Sequence, residues 1–91
     1  MGFEWDPTKA ELNFRTHRVR FAEALPVFSD DYALTITDDE SDPNEPRFIT
    51  VGFGSKGRLL VVAYTYRGNN IRVISARAAE PHEREEYDAQ L

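Results

Sequence analysis

Three apolar segments separated by two tight turns occupy the second half of the chain, and they constrain its fold more than any other feature. The segments are 47–53, 58–66 and 71–77. The first turn, 54–57, begins and ends with glycine, and the second, 67–70, contains Gly and Asn, which tolerate positive φ angles. Turns this short join neighbouring antiparallel strands. The sequence therefore predicts a three-stranded meander.

Before the meander, the sequence predicts a strand, two helices and another strand. The aromatic, alternating segment 3–5 is typical of a short strand. The Asp6-Pro7 pair marks the start of a helix that should run to about Thr16, because Asp caps free N–H groups and Pro fits the first helical position. Apolar residues at helical spacing favour a second, short helix between 19 and 28, and 32–37 alternates like a half-buried strand.

The acidic segments of the chain lie outside these strands. Residues 38–46 are acidic and contain prolines, so we expect a solvated loop there. The tail from Glu80 has Pro81 and acidic residues near its start, which favours a helix to roughly Ala89 with Tyr87 packed on the body. The order of elements predicts an α+β domain: an antiparallel meander with two N-terminal helices and one C-terminal helix, all packed on one face.

Length and composition limit the classes of protein that need to be considered. A chain of 91 residues has room for one hydrophobic core, so residues 1–91 are expected to form one domain. The absence of cysteine excludes a disulfide framework and a thiolate metal site. The sequence has neither a signal peptide nor an apolar run long enough to cross a membrane. We therefore expect a cytoplasmic protein that has no membrane partner.

The net charge of −5 argues against a protein that binds nucleic acid through an overall positive field. A DNA-binding protein in its own right is disfavoured further because no basic recognition helix is evident. Nearly all the arginines, however, fall within 15–20 and 47–77. A local basic surface is therefore possible on an acidic molecule.

Several segments together resemble the BrnT family of toxins, and the resemblance covers almost the whole chain. The closing part, from the first tight turn to the end of the meander, is its most specific portion. The residues that carry it are Phe3-Glu4-Trp5-Asp6, Lys9, Asn13, His17, Val19, Phe21, Arg47-Phe48, Gly52, Gly57-Arg58-Leu59-Leu60-Val61-Val62, Arg67-Gly68 and Ile71-Arg72-Val73-Ile74-Ser75-Ala76-Arg77.

This resemblance implies a fold, an activity and a partner. The fold would be RelE-like, and the activity would be RNA cleavage that needs no metal or other cofactor and arrests translation. A BrnA-type antitoxin would neutralise the toxin, and its ribbon-helix-helix part would be the element that binds operator DNA. One position departs from the family, which often has Glu before the Arg-Gly of the second turn where this chain has Tyr66. If that Glu takes part in cleavage, this chain is weakened or uses Glu45 instead.

Cleaving RNA without a metal requires three things: an activated 2′-hydroxyl, stabilisation of charge on the phosphate, and a proton for the departing 5′-oxygen. His17 is a candidate acid or base, because histidine changes its charge near neutral pH, and Lys9 lies on roughly the same side of the first helix. The alternative is a histidine that caps the helix end beside an exposed lysine. Arg72 and Arg77 are candidates to hold the phosphate. Alternatively, Arg72 pairs with the acidic loop and Arg77 anchors the last helix.

Alternation along the last strand of the meander bears on whether these arginines act together. Ideal alternation puts Arg72 on the face opposite to Ser75 and Arg77, unless a bulge intervenes. Convergence of the three side chains is therefore not predicted. Ser75 and Glu45 join Arg58 and Arg67 as candidate contacts to the RNA, the two arginines through its backbone.

Two further residues have a functional and a structural interpretation. The functional interpretation of Trp5 is stacking on a base, but a tryptophan in a short opening strand is more often part of the core. His82 lies among acidic residues, yet a solvated helix explains it better than a metal site. No metal site is predicted.

Two functions from different classes remain open at this stage. The first is an active ribonuclease toxin, held silent by an antitoxin that we expect to cover the face bearing Arg72 and His17. The second is an interaction module that has lost catalysis and serves to bind the antitoxin and assist repression. Tyr66 and the negative net charge favour the second.

Overall fold

A computed structural model of the protein describes residues 1–38, 40 and 42–91 and confirms the α+β class. The acidic segment 38–46 was expected to form a loop. Asp38 is instead the last residue of a strand, and Asp39 and Ser41 lie outside the described residues. The elements are, in chain order, β1 (Phe3–Glu4), α1 (Pro7–His17), α2 (Phe21–Ala24), a 3₁₀ helix (Leu25–Ser29), β2 (Leu34–Asp38), β3 (Arg47–Phe53), β4 (Leu59–Arg67), β5 (Asn70–Ala78) and α3 (Pro81–Asp88).

The described strands form one sheet in the order β1-β5-β4-β3-β2. The predicted meander is confirmed, because β3 pairs with β4 and β4 with β5, both antiparallel. The opening strand, β1, forms one edge of the sheet. It pairs in parallel with β5, where Phe3 lies beside Ile71. The N-terminus thereby covers one part of the edge of β5.

A β-bulge in β5 changes the direction of the side chains along that strand. Ala63 pairs with Ser75 and the next residue, Tyr64, pairs with Val73, so Ile74 is an extra residue on β5. An extra residue reverses the alternation beyond it. Arg72, Ser75 and Arg77 therefore lie on the same face of the sheet, which the unbroken period of two did not predict.

The hydrophobic core lies between the other face of the sheet and the helices that precede β2. α1, α2 and the 3₁₀ helix pack over this face, called here the helical face. Trp5 packs against the core at its edge, with its ring 5.9 Å from that of Phe21, as the structural interpretation of Trp5 expected. The buried core consists of Val19, Phe21, Ala24, Val27, Leu60, Val62, Tyr64, Ile71, Val73 and Ala76.

The last helix, α3, packs against the opposite face of the sheet, so the prediction that all helices share one face is wrong for α3. A Cβ at Gly52 would lie 3.1 Å from the side chain of Val27, so position 52 faces the helical face. Its neighbour Phe53 points to the opposite face, called here the open face, where its ring lies 5.3 Å from that of Tyr87. Tyr87 is buried, as the sequence predicted.

Asp30 links α3 to the end of the 3₁₀ helix and to β3. Its carboxylate accepts hydrogen bonds from the Tyr87 hydroxyl at 2.7 Å, from Phe53 N at 2.9 Å and from Tyr32 N at 2.9 Å. Burial would raise the pKa of Asp30, but these donors together lower it. Burial, reinforced by the hydrogen bond to Asp30, raises the pKa of Tyr87 to about 12.

Asn13 joins α1 to β5 inside the protein. Its side-chain amide donates to the carbonyls of Ala76 at 2.9 Å and Val19 at 3.0 Å, and its carbonyl oxygen accepts from Ala76 N at 3.1 Å. These bonds satisfy backbone groups at the edge of β5 beyond the end of β1. Asn13 therefore replaces a neighbouring strand at this point and fixes where α1 lies.

Replacing Asn13 with Ala is expected to destabilise the protein by about 3 kcal/mol, because it leaves buried backbone groups of Ala76 and Val19 without partners. Urea unfolding measures the change. Thr16→Ala, an exposed change one turn further along α1, is the matched control and should stay within about 0.5 kcal/mol of the wild type. Equal stability of the two variants would contradict the role given to Asn13.

Stability is also expected to depend on the phenol of Tyr87 at high pH. A folded-state pKa above the unfolded value means that the neutral phenol is the stabilised form, so its contribution is complete below pH 10 and lost as the pH rises toward 12. Urea unfolding across this range should show a steeper loss of stability for the wild type than for Tyr87→Phe. The exposed Tyr32→Phe should behave like the wild type. Parallel curves for the wild type and Tyr87→Phe would contradict this account.

Candidate active site

A shallow cleft of about 230 Å³ lies between α1 and the bulge of β5. Lys9 and His17 line its two ends, and Ile74, the extra residue of the bulge, forms its wall on the sheet side. The remaining lining residues are Leu12, Asn13 and Thr16. The cleft thus contains both of the polar groups that the sequence analysis assigned to catalysis on the first helix.

Capping at both ends of α1 fixes the positions of Lys9 and His17. At the N-terminus, the Asp6 carboxylate accepts hydrogen bonds from Thr8 N at 2.8 Å and Lys9 N at 3.3 Å. At the C-terminus, Arg18 adopts a left-handed conformation and its N–H donates to the Phe14 carbonyl. The eight residues from Lys9 to His17 span about 12 Å along the helix axis. An extended lysine side chain can cover part of this distance.

Within residues 1–38, 40 and 42–91, the side chains of Lys9 and His17 form no ion pair or hydrogen bond. Both residues are exposed. Their polar groups are therefore available to a ligand, and no internal carboxylate has to be displaced before one binds.

Other cations lie along α1 and the residues after it, outside the set of residues that lines the cleft. Arg15, Arg18 and Arg20 follow Lys9, while the sequence from 7 to 20 contains a single carboxylate, Glu11. Glu11 lies 3.3 Å from Arg20 and 3.9 Å from Arg15. This segment is therefore a local basic surface on a protein whose net charge is negative, as the distribution of arginines allowed.

Arg72 lies on the open face, on the side of the sheet opposite to α1. Its guanidinium is 3.3 Å from Glu4, its partner across the β1–β5 pairing, and its side chain is 28% exposed. The pKa of Glu4 is lowered first by a hydrogen bond from Asn70 and also by Arg72, against the effect of burial. Arg72 and His17 therefore do not share one face, and an antitoxin that covers both must wrap around the edge of β5.

Arg77 also lies on the open face, where it holds α3. It donates two hydrogen bonds of 2.8 Å to Glu83, which in turn accepts one from Glu80 N at the start of α3. The hydrogen bonds from Arg77 lower the pKa of Glu83, and burial opposes them. This geometry matches the anchoring alternative given for Arg77.

The remaining candidates lie near the two ends of β4 and on β5. Arg58 pairs with the buried Glu23 at 2.7 and 2.8 Å and donates to the Arg18 carbonyl, so it ties β4 to α2. Arg67 and Glu45 are both exposed, 3.7 Å apart. Ser75 lies on the open face opposite Ala63. The structure thus distributes the predicted site residues over the α1 cleft, the open face and the ends of β4, and does not unite them.

Sequence reasoning missed the structural role of Asn13, although this residue belongs to the resemblance. The signal was present, since Asn13 lies between Ala10 and Phe14 on the apolar side of a helix, where a polar side chain needs a buried partner. Its partner, the backbone of Ala76, follows a bulge that periodicity does not reveal.

The structure offers no support for a metal site at His82. Its ring is exposed and lies 3.6 Å from Glu80. Among the described residues, no group of three or more His, Cys, Asp or Glu side chains is arranged to hold a metal ion. Likewise, none of the described helices is long and apolar enough to cross a membrane.

The chain was compared with curated proteins, with solved structures and with models of protein families. No curated protein matches the chain. The crystal structure of the Brucella abortus ribonuclease toxin BrnT matches with a TM-score of 0.69 and 23% sequence identity, over 88% of this chain and 97% of that one. At this identity the match shows a shared fold. The family model of the ribonuclease toxin BrnT of type II toxin-antitoxin systems matches residues 5–83, and the chain therefore belongs to the BrnT family of ribonuclease toxins.

Proposed function

We propose that the protein is an RNA endonuclease that arrests translation and needs no metal ion, and that its reaction takes place at the α1 cleft. This placement is supported by a difference in which polar side chains have ion-pair partners within the protein. Lys9 and His17 line one cleft and are unpaired among the described residues, whereas the candidate arginines have carboxylate partners.

The proposed reaction is the attack of the 2′-oxygen of a ribose on the adjacent phosphorus, with departure of the 5′-oxygen of the next nucleotide. The 2′-hydroxyl loses its proton as the new bond forms, and the 5′-oxygen gains a proton as the old bond breaks. His17 serves as one of these acid–base groups. Lys9 places its ammonium near the phosphate, where negative charge increases in the transition state.

The arginines take other parts in this proposal. Arg77 and Arg58 hold α3 and α2, because each forms two short hydrogen bonds to a glutamate of the helix in question. Arg72 and Arg67, whose glutamate partners are more than 3 Å away, contact the RNA backbone on either side of the cleavage site, with Ser75 and Glu45 as neighbours. A phosphate competes with an exposed glutamate at little cost.

Membership of the family implies an antitoxin as partner, and we propose that it is of the BrnA type. Its ribbon-helix-helix part would bind operator DNA, so that this chain reaches DNA only through the antitoxin. The basic surface along α1 suits an acidic segment of such a partner. Co-purification tests the pairing, and a folded protein that does not retain a BrnA-type antitoxin would contradict it.

A second candidate is a binding module that has lost catalysis. The observation that favours it is that Arg58, Arg67, Arg72 and Arg77 all face glutamates of the same chain. Such pairing reduces the positive charge that a phosphate would meet. The same experiment separates the two candidates.

Replacing His17 with Ala is expected to slow the cleavage of single-stranded RNA in the presence of EDTA by about 100-fold or more, because an acid–base group is lost. Lys9→Ala should slow it as well. The chain offers matched controls, since His82→Ala and Lys56→Ala remove the other histidine and the other lysine, both exposed, away from the cleft. The rates of product formation on gels measure all four variants.

Two results would contradict the proposal. If His17→Ala and Lys9→Ala cleave as fast as their controls, the reaction takes place elsewhere on the molecule. If the folded wild type cleaves no RNA while it still binds the antitoxin, the second candidate is correct.

A further inference from the structure

A second cavity, of about 510 Å³, opens on the helical face between β1, the 3₁₀ helix and the strands β2 to β4. Its walls include the rings of Phe3, Phe28, Tyr64 and Tyr66. We call it the aromatic pocket. Its volume falls within the range of cavities that hold small organic ligands. The proposed function assigns no role to this pocket.

The rings of the aromatic pocket form a connected cluster that stays partly open to solvent. The ring centroids of Phe28 and Tyr64 lie 4.8 Å apart, those of Phe3 and Phe28 5.5 Å, and those of Tyr64 and Tyr66 5.9 Å. The inner ring, Tyr64, is buried, whereas Tyr66 is 50% exposed and Phe3 is 41% exposed. The exposed rings therefore offer aromatic surface at the mouth of the pocket.

A line of hydroxyl groups runs along the sheet in this pocket. The Thr35 Oγ1 lies 2.8 Å from the Thr50 Oγ1, which lies 2.8 Å from the Tyr64 hydroxyl. Burial raises the pKa of Tyr66, and the neighbouring Tyr64 adds to the effect. Each hydroxyl can donate or accept a hydrogen bond, so the line can offer either a donor or an acceptor to a ligand.

Charge limits what the pocket can hold. Among the described residues, no lysine or arginine lines it, and Asp30 is its charged side chain. The carboxylate of Asp30 already accepts three hydrogen bonds from the protein. The pocket therefore does not suit a phosphate. It suits a flat, uncharged group that has polar atoms along its edge.

We propose that the aromatic pocket takes one unstacked nucleobase of a single-stranded RNA, which stacks on Tyr66 and forms hydrogen bonds with the hydroxyls of Tyr64, Thr50 and Thr35. The inference rests on the proposed function, because it assigns a second contact to the same substrate. Proteins that bind single-stranded RNA stack splayed bases on aromatic rings and read their edges by hydrogen bonds. The pocket and the α1 cleft bind different parts of the RNA, the base and the scissile phosphate.

The test measures binding of a fluorescein-labelled, fully 2′-O-methylated RNA dodecamer, which lacks the 2′-hydroxyl needed for cleavage. Fluorescence anisotropy gives the Kd for the wild type, Tyr66→Ala and Tyr66→Phe. Loss of one base–aromatic stack should weaken binding about tenfold or more in Tyr66→Ala, while Tyr66→Phe keeps the ring and should lose less than about threefold. Tyr32→Ala removes an equally exposed tyrosine outside the pocket and should bind like the wild type.

An abasic oligonucleotide of the same length and charge completes the test. The wild type should bind it about as weakly as Tyr66→Ala binds the intact oligonucleotide. Wild-type binding by a folded Tyr66→Ala variant, or equal affinity of the wild type for the intact and abasic oligonucleotides, would overturn the inference. Because no cleavage is involved, Tyr66-dependent binding by a protein that cleaves no RNA would contradict the proposed function and leave the pocket assignment in place.

Discussion

The hydrogen bonds between Asn13 and the backbone of β5 determine where α1 lies, and the candidate active site depends on that position. β1 covers the edge of β5 at residues 71 and 72, the bulge follows, and Asn13 satisfies Ala76 beyond it. Because α1 crosses the bulge, Ile74 projects toward the helix and forms one wall of the cleft.

The distribution of charge explains how an acidic protein can present a basic surface. The glutamates on α2, α3 and β1 form ion pairs with Arg58, Arg77 and Arg72. The charges of these six residues therefore neutralise one another within the fold. The segment from 7 to 20 contains cations in excess of its single carboxylate. A phosphate bound in the proposed way would therefore meet the field of α1 at short range. Salt screens charges that lie further away than the Debye length, so the net charge of −5 does not determine the field close to α1.

Much of the fold followed from local chemistry that the sequence displays directly. The turns at 54–57 and 67–70 and the Asp6 cap each depend on a few adjacent residues. The parallel pairing of β1 with β5 and the packing of α3 on the open face depend on distant contacts, which single-sequence patterns do not contain. The bulge at Ile74 shows the limit most clearly. One extra residue brings Arg72, Ser75 and Arg77 to one face, whereas strict alternation separates them.

The candidate site could be predicted from the sequence only in part, because some of its contacts also join distant elements. Lys9 and His17 share a helix, so their common side follows from helical spacing. The carboxylate partners of Arg58, Arg72 and Arg77 come from other elements and became visible only in three dimensions. The pocket around Tyr64 likewise joins residues from the 3₁₀ helix and from all five described strands. No spacing in the chain indicates it.

The chemical nature of the RNA ends is the most direct test of whether this protein cleaves RNA with its own side chains through the 2′-hydroxyl. Mass spectrometry of the products formed in EDTA identifies them. The account predicts a 2′,3′-cyclic phosphate on one fragment and a 5′-hydroxyl on the other, since the 2′-oxygen forms the new bond and the 5′-oxygen leaves with a proton. Products with a 5′-phosphate and a 3′-hydroxyl would contradict it, because they form when water attacks the phosphorus and the 3′-oxygen leaves with a proton.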